Sequence, residues 1–234
     1  MILGICTSGS RLKLAARRGS LVFGTQKKVY NQERVLFGLV RALLAKAGGD
    51  LRSVDVICAA RGPGRFTGIR ISLTVASALK ALSGAAVYTA TLFEILALQA
   101  FESAHFKAAA KNGGLKRVAV LLHAFKDEYF CQFFKAGPGL KLPRPEAAPV
   151  WLKAGELKDL LAASGDFYAV ADSEEDPAVY GLVPEAQVRA PAALSKIIPG
   201  YIIKTALAYG NKTLRPLYLK PAKYELLFPK AVLK

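Results

Sequence analysis

Two histidines, three cysteines and seventeen carboxylates are what this chain offers to acid–base, nucleophilic or metal chemistry. Nucleophilic catalysis needs a thiol or hydroxyl beside a base. A pair between one of Cys6, Cys58 and Cys131 and His105 or His123 is conceivable, but no local elbow or base spacing supports it, and the cysteines lie far apart in apolar, strand-like runs. The three thiols read as reduced core residues. Only His123, Asp127 and Glu128 cluster with metal-ligand spacing, and a polar turn between strands explains that cluster as well. Asp172–Asp176, acidic after an apolar run, could hold a cation but reads more simply as a solvated loop. The remaining candidate is the segment Val54–Ser83, VDVICAARGPGRFTGIRISLTVASALKALS. Gly62, Pro63, Gly64 and Gly68 follow a strand-like run and precede a helix, the place where backbone N–H groups hold phosphate. The segment lacks the lysine–serine/threonine ending of a P-loop and the spacing of a dinucleotide loop. A structural or partner-facing turn is the better reading of Arg61–Arg70.

The elements around this turn follow from periodicity. Met1–Cys6, Leu12–Arg17 and Ser20–Thr25 read as three strands joined by tight turns. From Asn31 to Lys46, Val35, Leu36, Leu39, Val40, Leu43 and Leu44 form an amphipathic stripe, with Asn31 as N-cap and Gly48-Gly49 as the stop. Val54–Ala60 is a strand, and Ile69–Leu82 a helix with one small face built from Ser72, Thr74, Ala76, Ser77 and Ala78. Ala85–Tyr88 follows as a strand. Thr91 and Glu94 form a capping box for a helix running to about Phe106. Lys107–Gly114 reads as a polar connector between two lobes, 1–110 and 111–234. In the second lobe, Arg117–His123, Glu128–Lys135 and Phe167–Ala171 read as strands. Leu152–Ala163 and Ala192–Tyr209 read as helices, the latter interrupted or delayed by Pro199-Gly200, and Tyr218-Leu219 as the strand of an extended tail.

The net charge is +16, distributed as +9 over residues 1–105, −1 over 106–188 and +8 over 189–234. Basic ends favour polyanionic or acidic partners; a solvated lysine-rich surface would give the same count. In the tail, Lys212, Arg215, Lys220, Lys223, Lys230 and Lys234 interleave with Tyr218, Tyr224 and Phe228, which suits nucleic acid. Aromatics packed on the body with lysines in water is the favoured alternative. No run approaches the length of a membrane span, and Met1–Arg11 lacks the pattern of a signal peptide. A cytoplasmic protein without membrane partners is expected.

The segment Ala60–Ile71, ARGPGRFTGIRI, resembles the G-R-G-P-G-S-F-T-G-[VIL]-R-[IL] segment of the bacterial TsaB (YeaZ) family. Met1–Thr7, the helix Asn31–Lys46, Thr89–Leu98, Glu128-Tyr129 and Pro216–Lys220 resemble further parts of that family's pattern. The resemblance is specific in the central segment and weak after Gly137. It implies an α/β protein of mixed sheets with the actin-like ATPase (ribonuclease H-like) fold in two related lobes. It further implies a scaffold subunit for threonylcarbamoyl modification of the adenosine beside the anticodon, on tRNAs reading codons that begin with A. Such a subunit pairs with the catalytic homologue TsaD and with the ATPase TsaE, forms a homodimer when alone, and meets tRNA through the complex. ATP and metal would belong to those partners, so no cofactor is expected in this chain.

The resemblance places the pairing surface on the first helix, the central turn and the helix after it. The residues expected there are Leu36, Leu39, Leu43, Gly62, Pro63, Gly64, Arg65, Phe66, Thr67, Gly68, Arg70, Leu73 and Ala76. Departures from the pattern bear on catalysis. Cys6 stands where an actin-like ATPase has an aspartate at the end of its first strand, and a thiol is a poor magnesium ligand. Gln32-Glu33 replaces histidine–serine, His123-Ala124-Phe125 replaces D-A-R, and Arg65 replaces the central serine. Two other readings stay open: an independent actin-fold ATPase or small-molecule kinase, and a basic nucleic-acid-binding module. A glycopeptidase lacks a metal-ligand set in this sequence.

Overall fold

A computed structural model describes residues 1–137 and 139–220. The chain opens with β1 (Ile2–Cys6), β2 (Arg11–Arg18) and β3 (Leu21–Lys28), then α1 (Gln32–Lys46), β4 (Val56–Ala60), α2 (Phe66–Ser83) and β5 (Ala86–Ala90). These five strands form one sheet in the order β3-β2-β1-β4-β5, with β1, β4 and β5 parallel and the hairpin strands β2 and β3 antiparallel. Next come α3 (Leu92–Glu102), α4 (Ala104–Gly113), β6 (Arg117–Phe125), β7 (Glu128–Lys135), β8 (Arg144–Pro145), β9 (Val150–Lys153), α5 (Ala154–Ala162), β10 (Tyr168–Ala171), β11 (Val188–Arg189) and α6 (Pro199–Tyr209). The second sheet runs β11-β10-β6-β7-β8, with β9 also paired to β7.

Strand alternation sends the side chains of the central strands β1, β4 and β6 into cores on both faces of the sheets, while the edge strands β3 and β8 are largely exposed. In β1, Leu3 and Ile5 join the core beneath α1 and α2, while Cys6 points to the opposite core with α3 and α6. In β4, Ile57 and Ala59 repeat the first pattern and Cys58 and Ala60 the second. In the other sheet Val118, Val120 and Leu122 of β6 face the core with α3 and α6, and Ala119 and Leu121 face α5. Helix α6 crosses back onto the first sheet. A Cβ at Gly4 would lie 2.8 Å from Ile203 Cγ1, so the small residue in β1 sets how closely the helix approaches.

Several boundaries differ from those that periodicity predicts. Helix α2 begins at Phe66, inside the glycine-rich turn, and Asn31 caps α1 without a side-chain hydrogen bond. The helix opened by the Thr91–Glu94 capping box ends at Ser103. There Ser103 Oγ donates to Ala100 O and accepts from Phe106 N, starting α4 in what composition suggested was a connector. The helix expected over Leu152–Ala163 divides into β9 and α5. Pro199 delays the last helix to its own position, where a missing N–H costs nothing. Tyr218-Leu219 is not a strand: from 212 to 220 the chain has no ladder partner among the described residues. Lys223, Tyr224, Phe228, Lys230 and Lys234 lie outside the described residues.

Candidate functional site: the central turn and the cleft beside it

The turn after β4 packs its backbone onto the turn after β1. Arg65 N donates to Ser8 O at 2.7 Å, and Thr7 Oγ1 donates to Gly68 O at 2.6 Å in a buried contact. A Cβ on Gly68 would run into the Thr7 carbonyl, which makes glycine a packing requirement there. Gly62 and Gly64 hold φ of 104° and 147°, and the peptide between Gly62 and Pro63 is cis. Gly62 O accepts from Leu92 N at 2.8 Å, and Arg61 O from Leu217 N at 2.8 Å. The segment therefore ties β1, α3 and the extended tail together, and its glycines admit backbone neighbours where a phosphate loop would admit a ligand.

On its outer side the turn carries an aromatic–arginine cluster. The Arg70 guanidinium lies 3.7 Å over the Phe66 ring and its Nε donates to Tyr218 Oη at 3.1 Å; Phe66 and Tyr218 stack with centroids 4.9 Å apart. Arg65 is exposed and sits 5.9 Å from the Tyr30 ring. Stacked planar groups of this kind are stabilised by dispersion and by the ring quadrupole.

The acidic segment after β10 is not a solvated loop. It closes the cleft between the two sheets. Lys13, buried in β2, places Nζ 2.7 Å from Glu174 Oε2 and 4.0 Å from Asp172 Oδ2. Arg11 Nε lies 3.5 Å from Glu174. Ser10 gives its backbone N–H to both Glu175 oxygens, at 2.8 and 2.9 Å, and its hydroxyl donates to Oε1 at 2.9 Å. Asp176 accepts from Tyr129 Oη at 2.7 Å. Burial raises the Asp172 carboxyl to about 6 against the pull of Lys13. Burial also works to raise Glu174, but the hydrogen bond and charge of Lys13, with Arg11 behind it, outweigh burial and hold that carboxyl low.

An actin-like fold implies a metal-bound nucleotide in this cleft, and the residues present do not fit one. Cys6, at the end of β1, is 2% exposed, and burial pushes its thiol up, leaving no anionic ligand. Asp172 and Glu174 are spent on Lys13, and Glu175 on Ser10. Among the described residues no group of three His, Cys, Asp or Glu side chains could hold a metal. The histidines serve structure: His105 Nδ1 pairs with Tyr168 Oη at 2.9 Å, and His123 Nε2 with Lys126 O at 2.9 Å. Glu128, the acidic neighbour of His123, pairs with Lys220. Burial also drives Cys58 and Cys131 up to about 12, far from a reactive thiolate.

The expected pairing residues divide by burial. Leu36, Leu43, Leu73 and Ala76 are all under 9% exposed and belong to the core between α1, α2 and the first sheet. Leu39 is half-buried, and Gly62, Pro63 and Gly68 are buried in the turn. Only Gly64, Arg65, Phe66, Thr67 and Arg70 of that set are exposed. An amphipathic stripe marks the face that meets the protein's own sheet; the outward face is the complement of that stripe. On α1 it consists of Arg34, Phe37, Gly38, Arg41, Ala42 and Ala45. On α2 it continues from Phe66 and Arg70 through Thr74, Ser77, Ala78, Ala81 and Leu82.

The family model for TsaD, tRNA N6-adenosine threonylcarbamoyltransferase, matches residues 30–120. The TsaB protein of Buchnera aphidicola subsp. Schizaphis graminum, named a tRNA threonylcarbamoyladenosine biosynthesis protein, is 24% identical over 102 residues. That match covers 43% of this chain and 49% of that protein, so the chain spans about half the length of this curated relative. YeaZ from Pseudomonas aeruginosa superposes with a TM-score of 0.67 at 23% identity, over 93% of this chain and 99% of that one. A structure described as similar to peptidase YeaZ from Pseudomonas aeruginosa gives 0.68 at 24%, over 94% and 99%. The chain has the fold of YeaZ. That fold is the actin-like, ribonuclease H-like one, here with two mixed sheets in the strand order found above. Within the TsaB/YeaZ fold the turn Arg61–Arg70 is the joint at which the first sheet, α2 and the tail meet. No helix among the described residues is long and apolar enough to cross a membrane.

Proposed function

We propose that this chain is a non-catalytic subunit in threonylcarbamoyl modification of the adenosine beside the anticodon. In this reading it pairs with a TsaD-like catalytic subunit, engages a TsaE-like ATPase, and forms a homodimer when alone. Its two sheets act as two lobes divided near residue 110, and tRNA maturation places it in the cytoplasm. The observation that carries the reading is the cleft: among the described residues Asp172 and Glu174 are paired internally to Lys13, Glu175 to Ser10 and Asp176 to Tyr129. Beside it, the outward faces of α1 and α2 present Phe37, Phe66 and Leu82 among small residues. Small residues let a partner's helices approach closely, and large apolar ones supply the buried area. ATP and its metal then belong to the partner subunits.

The test is reconstitution with a TsaD homologue, a TsaE homologue, ATP and tRNA, reading threonylcarbamoyladenosine by mass spectrometry. Modification should require this chain, and calorimetry of the chain with Mg-ATP should give no binding heat. Modification that proceeds equally without it, with no complex on gel filtration, removes the proposal.

A second reading, direct RNA binding, is favoured by the exposed Tyr30, Phe66 and Tyr218 beside Arg65 and Arg70. Aromatic faces and guanidinium groups together suit unpaired bases and phosphates. This reading expects tRNA to bind the isolated chain with an affinity falling steeply as salt rises. Salt-independent or absent binding leaves only contact through the complex.

A further inference from the structure

The Ser10–Glu175 contact joins positions 165 residues apart and has the geometry of a bound oxyanion. A single backbone N–H is shared by both carboxylate oxygens, and the adjacent hydroxyl adds a third hydrogen bond. Gly9 completes the cradle, since a Cβ there would lie 2.5 Å from Glu175 Oε1 and 2.9 Å from Cδ. Gln32 Nε2, at the start of α1, donates to Gly9 O at 2.8 Å and fixes the turn from behind. Arg11 and Lys13 follow on β2 and hold the neighbouring Glu174, which brings the segment carrying Glu175 up to the turn.

We infer that the turn Gly9–Ser10 is an oxyanion site whose resident ligand is the protein's own Glu175. The carboxylate comes from the segment after β10, in the second sheet, and the turn from the first. Filling the site therefore fastens the two sheets together without any ligand. The cleft needs no nucleotide to close, and an external anion finds its donors already taken. Shape favours this occupant: a carboxylate offers two oxygens to one N–H and a third contact to the Ser10 hydroxyl. This inference concerns the cleft alone and holds whether or not the chain serves tRNA modification.

Chemical rescue tests it. E175A removes the internal anion and leaves Gly9, Ser10, Arg11 and Lys13 in place. Its melting midpoint should fall below that of the wild type. Inorganic phosphate at about tenfold above its dissociation constant should raise that midpoint by about 3–5 °C more than chloride of equal ionic strength. The wild type should gain nothing beyond the chloride control. Adding G9A to E175A places a methyl group in the cradle and should abolish the phosphate effect. An equal phosphate effect in wild type and E175A overturns the inference, as does an effect that survives G9A. If E175A is recovered only unfolded, refolding from urea with and without phosphate reads the same contrast. Recovery only with phosphate supports the site, and failure in both conditions overturns it.

Discussion

Lys13 and Glu174, 161 residues apart, meet as an ion pair of 2.7 Å with side-chain exposures of 3% and 17%. The pair bridges the two sheets, and Lys13 has no solvent to fall back on. Removing one partner of a buried pair strands the other charge, which costs about 3–5 kcal/mol. Lys13→Met should destabilise the protein by that order in urea denaturation. Lys13→Met combined with Glu174→Leu should recover part of the loss, because the Glu174 charge goes with its partner, and only part, because Asp172 and Arg11 also lose theirs.

Asp172 makes the stability of the cleft depend on pH. Its folded carboxyl titrates near 6 against an ordinary value of 3.8, with burial the leading cause. Between those values the folded protein binds the proton that the unfolded chain releases, so this group's contribution improves as pH falls from about 6 toward 4. Glu174 works the other way. Its lowered pKa contributes stability above the unfolded value that is lost once the pH drops through the folded one. The wild type should therefore gain stability relative to Asp172→Asn on acidification from pH 7 to about 4.5. The limit is about 3 kcal/mol from the size of the Asp172 shift. Denaturant midpoints for both proteins across that range measure it.

Gly68 and Thr7 give a local test of the joint. Gly68→Ala places a methyl group against a backbone carbonyl that cannot swing away, so the variant should lose soluble expression or most of its stability. Thr7→Val keeps the volume and loses only the hydrogen bond to Gly68 O, for about 1 kcal/mol in thermal or chemical denaturation.

Pairing and folding can be separated on α2. Ala76 is fully buried and Ala78 exposed. Ala76→Glu forces an unpaired charge into the core and should unfold the chain or cost about 3 kcal/mol or more. Ala78→Glu and Phe37→Glu should keep the melting midpoint within a degree or two of the wild type. Sedimentation should then show loss of self-association and of binding to the TsaD homologue. Association unchanged in both surface variants would place the interface elsewhere.

Sequence alone determined the elements whose signals are local. The alternation in β1, β4 and β6 reports on the two faces of one strand. The Leu36–Leu44 stripe reports on one helix, and Thr91 with Glu94 reports on one cap. The segment ARGPGRFTGIRI carried the resemblance because its glycines answer to backbone packed beside them. Tertiary structure decided what those surfaces face. Periodicity marks a helix's apolar side without saying whether a sheet or another protein covers it, so Leu36, Leu43, Leu73 and Ala76 read as pairing residues and proved to be core. Asp172–Asp176 read as a solvated loop, because nothing within reach along the chain pairs with its carboxylates. Its partners Ser10 and Lys13 lie more than 150 residues away and meet it only when the two sheets close.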